Sequence, residues 1–326
     1  MNSTERVRNL ILGKPFDRHP IYGWVYANLK PEIDDKWGSL NNFEQKYEFD
    51  MAHLFSGQQF WNEKTFGQLR EQLGDKELTP DILLNHPEVW TNPDTEVDYP
   101  AIRRDVEAYK AQHGRFCYLQ TPGILEHFNE VFGIQNHLMY LLLYPDELME
   151  IYARQTKWTK RFAEHAIENG VDMIHISDDW GSQEGIMISP ITWREMIYPH
   201  LKSICDFVHS KDTFCSIHSD GCITKVLDGV VDIGFDLMHP WQENANMPYD
   251  IYLDRYSDKF AIMGGINIQN ALGIMNRENL EQDIRRIFGL LRNKRWVVCT
   301  SHFVQNHCSI DDLEFAYDLI YRLVRE

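Results

Sequence analysis

Residues 171–218 read VDMIHISDDWGSQEGIMISPITWREMIYPHLKSICDFVHSKDTFCSIH, and this stretch decides the fold. Its first and last segments, 171–177 and 213–218, are short and mostly unalternating apolar runs, which is the pattern of strands buried on both faces. Between them, Ser189 is a suitable helix N-cap and Pro190 fits the first turn of a helix. A buried strand, a helix and a second buried strand form the unit from which parallel sheets are built.

The same unit recurs along the chain. Apolar runs of this kind alternate with helical segments at residues 20–26, 49–55, 115–120, 171–177, 213–218, 234–239, 259–264 and 295–300. Eight such runs predict an α/β fold, a (β/α)8 TIM barrel formed by a single domain over residues 1–326. An open doubly wound sheet is the alternative, although no G-x-G-x-x-G motif follows the first run. The stretches 27–48 and 57–114 are longer than ordinary connections, so extended β1–α1 and β2–α2 regions are expected to form a lid.

Composition and charge narrow the class of protein. The chain carries 32 Lys and Arg against 49 Asp and Glu, a formal net charge of −17, so an acidic surface would repel nucleic acid. We see no signal peptide and no apolar run long enough to span a bilayer. Six scattered cysteines, three of them in buried runs, fit reduced thiols better than a disulfide framework. A cytoplasmic protein without membrane contact is expected, with a homodimer as one expected assembly.

In a barrel of this type the active site lies where the strands end, so residues just after each run are the candidates. Those singled out for substrate binding are Trp24, Tyr26, Asn28, Gln120, Trp180, Gln183, His239, Gln242 and Asn267. The aromatic residues Trp24, Tyr26 and Trp180 could form a wall for a planar substrate or be ordinary packing. His239 and the glycine turn before Asn267 allow either a ligand contact or simply a tight turn.

Two adjacent carboxylates, Asp178 and Asp179, follow the fourth run. In extended geometry neighbouring side chains face opposite ways, so only one of the two is expected to point into the pocket. That residue would orient a substrate, bind a metal or act as an acid. The alternative is a structural role, in which Asp179 caps the following turn or pairs with an arginine.

His218 and Asp220 stand two residues apart at the end of the fifth run. This spacing places both side chains on one side of an extended segment, as a two-ligand metal site requires. Zinc accepts histidine nitrogen and carboxylate oxygen, and its open catalytic sites use three protein ligands. His302 is the natural third ligand because the first and eighth strands close the ring, and Cys299 could substitute if it points inward. The alternative is a hydrogen-bonded histidine and a turn-forming Asp220 before Gly221.

Several common catalytic motifs are absent from the sequence. It contains no nucleophile elbow, Walker loop, H-E-x-x-H or C-x-x-C motif. The absence disfavours serine hydrolases, nucleotide-dependent phosphotransferases, zincin proteases and thioredoxin-like redox proteins.

Longer segments resemble a known family. The opening STERVRNLILGKPFDRHPIYGW is similar to the amino-terminal signature of the uroporphyrinogen decarboxylase superfamily, in which a short helix runs into G-x-x-x-D-R-x-P. The resemblance continues in TPGILEHFNEVFGIQNHLMYLLLYPDELMEIY, HSDGCITKVLDGVVDIGFDLMHPWQ and CTSHFVQNHCSIDDLEFAYDLI. It covers nearly the whole chain in the right order, and it implies a (β/α)8 barrel.

The resembled superfamily contains two chemistries. True decarboxylases follow D-R-x-P with an arginine-rich segment that grips the acetate groups of a tetrapyrrole, whereas this chain reads IYGWVYANLK with no arginine. Corrinoid-linked methyltransferases that act on coenzyme M carry zinc on an H-x-C motif and a later cysteine. The corresponding positions here are His218, Asp220 and His302, and His302 also matches a histidine of the decarboxylases. The resemblance therefore favours the methyltransferase branch, with a carboxylate in place of a thiolate.

By this resemblance, the chain is an O-demethylase-type methyltransferase. It would move a methyl group from a small methylated substrate, such as a methoxylated aromatic, to a corrinoid (cobalamin) carried by a partner protein. Zinc would act as a Lewis acid on the ether oxygen, or an acid in the pocket would protonate it. Asp178 or Asp179 would orient the substrate or be that acid, with His302 as a further catalytic candidate. A decarboxylase and a non-catalytic ligand-binding barrel are the alternatives.

Overall fold

A computed structural model describes residues 1–25, 29–56, 60–112 and 114–326. Parallel strands form one curled sheet in chain order, and each pairs with the next. The strands are β1 (Met51–Leu54), β2 (Phe116–Pro122), β3 (Met173–Ser177), β4 (Phe214–His218), β5 (Leu237–His239), β6 (Ala261–Ile266) and β7 (Trp296–Thr300). Each overlaps one of the predicted runs from the second to the eighth, and the uninterrupted parallel order confirms the α/β class.

The first predicted run, 20–26, forms a single bridge and not a regular strand. Ile21 pairs in parallel with Val298 of β7, and its carbonyl accepts a 2.8 Å hydrogen bond from the backbone N–H of Asp50, just before β1. Pro20 has no N–H to offer, and the N–H of Ile21 binds the Asp50 carboxylate instead of a backbone carbonyl. The Asp50 side chain therefore takes the place of a backbone carbonyl in the hydrogen bonding of this segment. The segment connects the two edge strands, an arrangement consistent with a (β/α)8 barrel.

Helices connect the strands and pack against the outer face of the sheet, for example α9 on β2 and α11 on β4. The α-helical segments are α1 (Ser3–Ile11), α2 (Lys30–Trp37), α3 (Leu40–Lys46), α4 (Glu63–Leu73), α5 (Pro80–Leu84), α6 (Tyr99–Lys110), α7 (Leu125–Phe132), α8 (Ile134–Leu143), α9 (Pro145–Glu168), α10 (Pro190–Thr192), α11 (Tyr198–His209), α12 (Leu227–Ile233), α13 (Tyr249–Ile251), α14 (Arg277–Leu291) and α15 (Ile310–Leu323). Turns of π-helix at Trp193–Ile197 and Tyr252–Tyr256 extend α10 and α13.

Helix ends follow the local sequence. The Ser189 hydroxyl accepts a hydrogen bond from the backbone N–H of Thr192, which confirms the predicted N-cap. Helix α9 ends at Glu168 and is followed by Gly170 at φ +93°, a conformation that favours glycine. The first turn of α15 is also capped locally, because the Ser309 hydroxyl accepts a hydrogen bond from the backbone N–H of Asp312.

The two long connections predicted to form a lid contain α2 and α3, and α4 to α6. Leu40 and Glu44 of α3 and Tyr109 of α6 reach the cavity described below, so both connections border the site. A lid that opens and closes stays a prediction.

The cysteines belong to the buried core. Cys117, Cys215 and Cys299 lie buried in β2, β4 and β7, and all six cysteines are free. Within the described ranges, every helix is too short or too polar to cross a membrane.

Candidate functional site

A cavity of about 540 Å³ opens at the carboxyl ends of the strands. Residues from the ends of β1 to β4, from the segment after Ile21 and from the loop after β7 contribute to its lining. The lining residues are Tyr22, Gly23, Trp24, Val25, Leu40, Glu44, Ala52, His53, Phe55, Tyr109, Gln120, Glu126, Ser177, Asp179, His218, His302 and Phe303. The pocket thus lies at the end of the sheet where the sequence predicts the functional site.

Trp24 occupies the centre of the site. The centroid of its indole ring lies 5.3 Å from that of His218, 4.5 Å from that of His239 and 4.9 Å from that of His53. The indole Nε1 donates a hydrogen bond to the hydroxyl of Tyr118 at 2.8 Å. The backbone of Trp24 is bonded to β7 and to the loop after it. These contacts hold the indole in place as one wall of the pocket.

A chain of hydrogen bonds fixes the tautomer of His218. The Nε2 of His239 lies 3.0 Å from the backbone carbonyl of Thr300, which can only accept, so this nitrogen carries a proton. Burial keeps the pKa of His239 well below its usual value and lowers that of His218 to about 3, so both rings are neutral. The Nδ1 of His239 is then an acceptor, and the Nδ1 of His218, 2.8 Å away, donates to it. The Nε2 of His218 is left with a bare lone pair.

That bare lone pair faces other acceptors. The Nε2 of His218 lies 3.6 Å from Oδ1 of Asp179 and 3.9 Å from Oδ1 of Asp220. The Nε2 of His302 lies 3.7 Å from Oδ2 of Asp220. These separations exceed hydrogen-bond length, so the four side chains converge without a hydrogen bond in any of these pairs. A cation at their centre would satisfy all of them.

The ligand atoms are close enough to share one ion. In the described part of the chain, two groups have ligand atoms within 4.8 Å of one another: His218 with Asp220 and His302, and His175 with His218 and His239. The second group is fully buried, and the hydrogen bond between the Nδ1 atoms of His218 and His239 already links two of its rings. The first group borders the pocket and offers two imidazoles and a carboxylate, a set that zinc accepts with a position left open. Cys299, the alternative ligand, belongs to neither group.

Carboxyl groups crowd the same side of the pocket. Burial, together with the negative charges of Asp179 and Glu126, raises the pKa of Asp220 to about 8. Burial also raises the pKa of Asp179, and it raises that of Glu126 to about 8 with the help of Asp179 and Asp178. The repulsion means that this site holds protons or a cation near neutral pH.

Asp178 does not reach the pocket, so its predicted catalytic contact is wrong. It is fully buried, and its Oδ1 accepts hydrogen bonds from the backbone N–H groups of Leu125 (2.7 Å) and Glu126 (2.8 Å) at the start of α7. Its Oδ2 accepts from the indole of Trp180 at 2.7 Å. The two aspartates do face opposite ways, and it is Asp179 that lines the cavity. Asp179 also has a structural contact, because its Oδ1 accepts a hydrogen bond from the backbone N–H of Asp220 at 2.7 Å.

Five predicted substrate-binding residues lie outside this pocket, and three of them are Trp180, Gln183 and Asn267. Trp180 is fully buried and packs against Trp193 with ring centroids 5.2 Å apart, because its indole is bound to Asp178. Gln183 is exposed in the loop after β3. Asn267 lines a separate cavity of about 260 Å³, where its amide binds the side chain of Asn244.

The other predicted residues take different positions. Gln120 lines the pocket. Gln242 is buried and holds the turn after β4, since its Nε2 donates to Oδ1 of Asp220 (2.9 Å) and its Oε1 accepts from the N–H of Gly221 (2.6 Å). Gln242 and His239 therefore position metal-ligand candidates without lining the cavity. Tyr26 and Asn28 lie outside the described residues.

Sequence reasoning missed most of the residues that line the pocket, and two of them, His53 and Glu126, are titratable groups close to the predicted site residues. His53 is the polar residue of β1, and its ring stacks on Tyr118 with centroids 4.3 Å apart. A lone histidine at an inward position of an apolar strand is the signal that could have found it. Glu126 lies in the first turn of α7, and its side chain accepts from the Ser177 hydroxyl at 3.3 Å. Only the tertiary structure places it at the site.

Acidic and aromatic groups dominate the lining. Glu44, Glu126 and Asp179 contribute carboxylates, of which Glu44 is paired with the buried Arg115. Among the described lining residues there is no lysine or arginine. A substrate with many carboxylates would find no cationic group on these walls.

Comparison with known proteins agrees with this architecture. The family model described as "Uroporphyrinogen decarboxylase (URO-D)" matches residues 130–323, more than half of the chain. The chain belongs to this family. The matched part of the chain includes His218, Asp220 and His302, whereas Trp24, His53 and Glu126 precede it.

Two individual proteins are similar to this chain, one in sequence and one in fold. A curated uroporphyrinogen decarboxylase from Sulfurovum sp. (strain NBC37-1) is 21% identical over 181 residues, which are 55% of this chain and 49% of that protein. The match thus spans about half the length of the curated relative. A solved methyltransferase from Methanosarcina mazei has a TM-score of 0.67 at 11% identity, with 98% of each chain covered. At that identity the likeness establishes a shared fold.

Proposed function

We propose that this protein is a corrinoid-dependent methyltransferase, which moves a methyl group from a small methoxylated aromatic compound to the corrinoid of a partner protein. The observation that carries the proposal is the convergence of His218, Asp220, His302 and Asp179 at separations too long for hydrogen bonds. Such a set is suited to an electrophilic ion beside a substrate oxygen. The name of the Methanosarcina structure is in keeping with this chemistry.

Decarboxylation is the second candidate, and the family model and the curated relative favour it by name. The charge of the pocket argues against it. A polycarboxylate substrate would meet the carboxyl groups of Glu126 and Asp179, with no cation among the described lining residues. Burying the negative charges of such a substrate with no cation to pair with them is unfavourable, so a neutral substrate fits the walls better.

His218, Asp220 and His302 are the residues that would hold zinc. When bound, the ion supplies Lewis acidity toward the ether oxygen. His239 keeps the Nε2 of His218 unprotonated, and Gln242 holds the carboxylate of Asp220 in place. These supporting contacts are of the kind that orient ligands in zinc sites.

The remaining walls fit a planar ring. Trp24 offers an indole face fixed by its hydrogen bond to Tyr118, and Phe55 and Phe303 stand near the opening. Gln120 and Asp179 supply hydrogen-bonding groups that would orient a substituted ring. The Phe55 side chain is 59% exposed, so the rim offers apolar surface toward a corrinoid-bearing partner.

Metal analysis of protein purified without an affinity tag is the first test. We expect about one zinc ion per chain, lost in His218→Ala and retained in His86→Ala, a control at a histidine remote from the pocket that pairs with Glu88. Incubation with a methoxylated phenol and a reduced corrinoid protein should then give methyl transfer that requires the metal. Metal-free protein from several growth media, or consumption of uroporphyrinogen instead, would show that the proposal is wrong.

A further inference from the structure

Glu126 is placed in the pocket by a dedicated set of contacts. Its backbone N–H and that of Leu125 both bind the Oδ1 of Asp178, which fixes the first turn of α7 against the end of β3. Gly123 allows this approach, because a Cβ atom at this position would overlap the Asp178 side chain. The carboxylate of Asp178 thus fixes the position of Glu126.

The side chain of Glu126 is not committed to an ion pair. Its Oε2 accepts a hydrogen bond from Ser177 at 3.3 Å, and no lysine or arginine is among the described residues that line the cavity. The charged groups that act on it are the carboxyls of Asp178, Asp179 and Asp220. Glu126 also lies outside both groups of ligand atoms that could share an ion. Its carboxyl is therefore free to exchange a proton with a bound molecule.

We propose that Glu126 is a catalytic acid, which delivers a proton to the oxygen that leaves when the methyl group is removed, and that Asp178 is its positioning residue. This inference rests on the proposed function. In the step, the bond between the methyl carbon and the oxygen breaks, and its electron pair stays on the oxygen. The methyl carbon is taken by the reduced corrinoid nucleophile of the partner. The O–H bond of Glu126 breaks as the O–H bond of the phenol forms, and the resulting carboxylate regains its proton from solvent.

The protonation state agrees with this role. Burial and the charges of Asp179 and Asp178 raise the pKa of Glu126 to about 8, so the side chain carries a proton at neutral pH. A general acid works best when its pKa lies near the working pH. The acid role that the sequence suggested for Asp178 or Asp179 is thus assigned to Glu126.

The test compares Glu126→Gln with wild type on a series of aryl methyl ethers whose phenols differ in acidity. Glu130→Gln is the matched control, since Glu130 lies exposed on the same helix. We expect Glu126→Gln to lose on the order of 100-fold or more with ethers of weakly acidic phenols. The loss should be small with an ether of a nitrophenol, which needs no acid, and Glu126→Asp should retain part of the activity. An equal loss across the series would overturn the acid role and leave the proposed function standing.

A second measurement needs no turnover. Binding of 4-nitrophenol is followed by its visible absorbance over a range of pH in wild type, Glu126→Gln and Asp178→Asn. In wild type the proton of Glu126 should stabilise the bound phenolate by a hydrogen bond and so lower the apparent pKa of the bound probe, and both variants should reduce that shift. A bound probe with no shift in wild type would overturn the role of Glu126. Wild-type protein that binds the probe with the shift but transfers no methyl group would overturn the proposed function instead.

Discussion

The Nδ1 atoms of His218 and His239 lie 2.8 Å apart, and the second histidine is itself tied to the carbonyl of Thr300. Because a carbonyl can only accept, the direction of both hydrogen bonds is fixed. The consequence is a bare Nε2 on His218, at the carboxyl end of β4. A buried histidine that lines no cavity thus controls which atom of its neighbour is available to a metal.

Replacement of His239 should weaken metal binding. In His239→Ala the Nδ1 proton of His218 loses its acceptor, so the tautomer with a free Nε2 is no longer favoured. We expect zinc affinity to fall by about 10- to 100-fold. Competition with a chromophoric chelator measures the change. His175→Ala is the control, since this buried ring is bonded to Ser216 and not to His218. Equal affinity in wild type and His239→Ala would disprove the tautomer argument.

Gly123 should tolerate no side chain. A Cβ atom there would overlap Asp178 and the carbonyl of Ser177, so Gly123→Ala should lower the free energy of unfolding by about 2 kcal/mol or more. Denaturation in urea provides the measurement. Gly67→Ala is the matched control, because a Cβ on this exposed helical residue meets nothing within 4 Å. It should stabilise by about 0.5–1 kcal/mol. Similar stabilities for the two variants would contradict the packing described for α7.

Asp50 should be essential for the first segment of the barrel. Its buried carboxylate binds Arg6 (2.6 Å), Arg18 (2.7 Å) and the backbone N–H of Ile21 (2.8 Å). Asp50→Ala removes the buried partner of both guanidinium groups, which keep only the more exposed carboxylates of Asp17 and Glu48, and it leaves the N–H of Ile21 without its acceptor. We therefore expect a loss of about 3 kcal/mol. The exposed Asp35→Ala in α2 should change stability by less than about 0.5 kcal/mol. A small effect of Asp50→Ala in urea denaturation would show that the bridge to β7 suffices without this carboxylate.

His209 should make stability depend on pH in the alkaline range. Its hydrogen bonds to Asp236 and Cys205 raise its pKa to about 10 in the folded protein. The folded state therefore binds the proton more tightly than the unfolded chain. The stabilisation is full below the usual histidine pKa and is lost as the pH rises through about 10. Unfolding free energies between about pH 6 and 10 should fall more steeply in wild type than in His209→Gln, by less than about 1 kcal/mol because the pair is partly exposed. If the unfolding free energies of wild type and His209→Gln fell equally with pH, His209 would not contribute to the pH dependence of stability.

Much of the fold could be predicted because its signals are local. Seven of the eight apolar runs contain strands, and the helix caps at Ser189 and Ser309 need only neighbouring residues. The run at 20–26 departs from the prediction because Pro20 has no donor and Asp50, far away in sequence, supplies an acceptor to Ile21. The predicted zinc ion, corrinoid partner, homodimer and cytoplasmic location stay predictions.

The candidate site could be predicted from the sequence only in part. The sequence determined that His218, Asp220 and His302 follow strands and can meet at one mouth, because parallel strands bring their carboxyl ends together. Only the tertiary structure decided that Asp179 faces the cavity while Asp178 caps α7, and that Glu126 enters the pocket beside them. The direction of a side chain after a strand depends on the groups that bind it, and here those groups come from other strands and helices. The sequence therefore shows that polar groups stand at the ends of strands. Which of those side chains enters the pocket depends on contacts between distant residues.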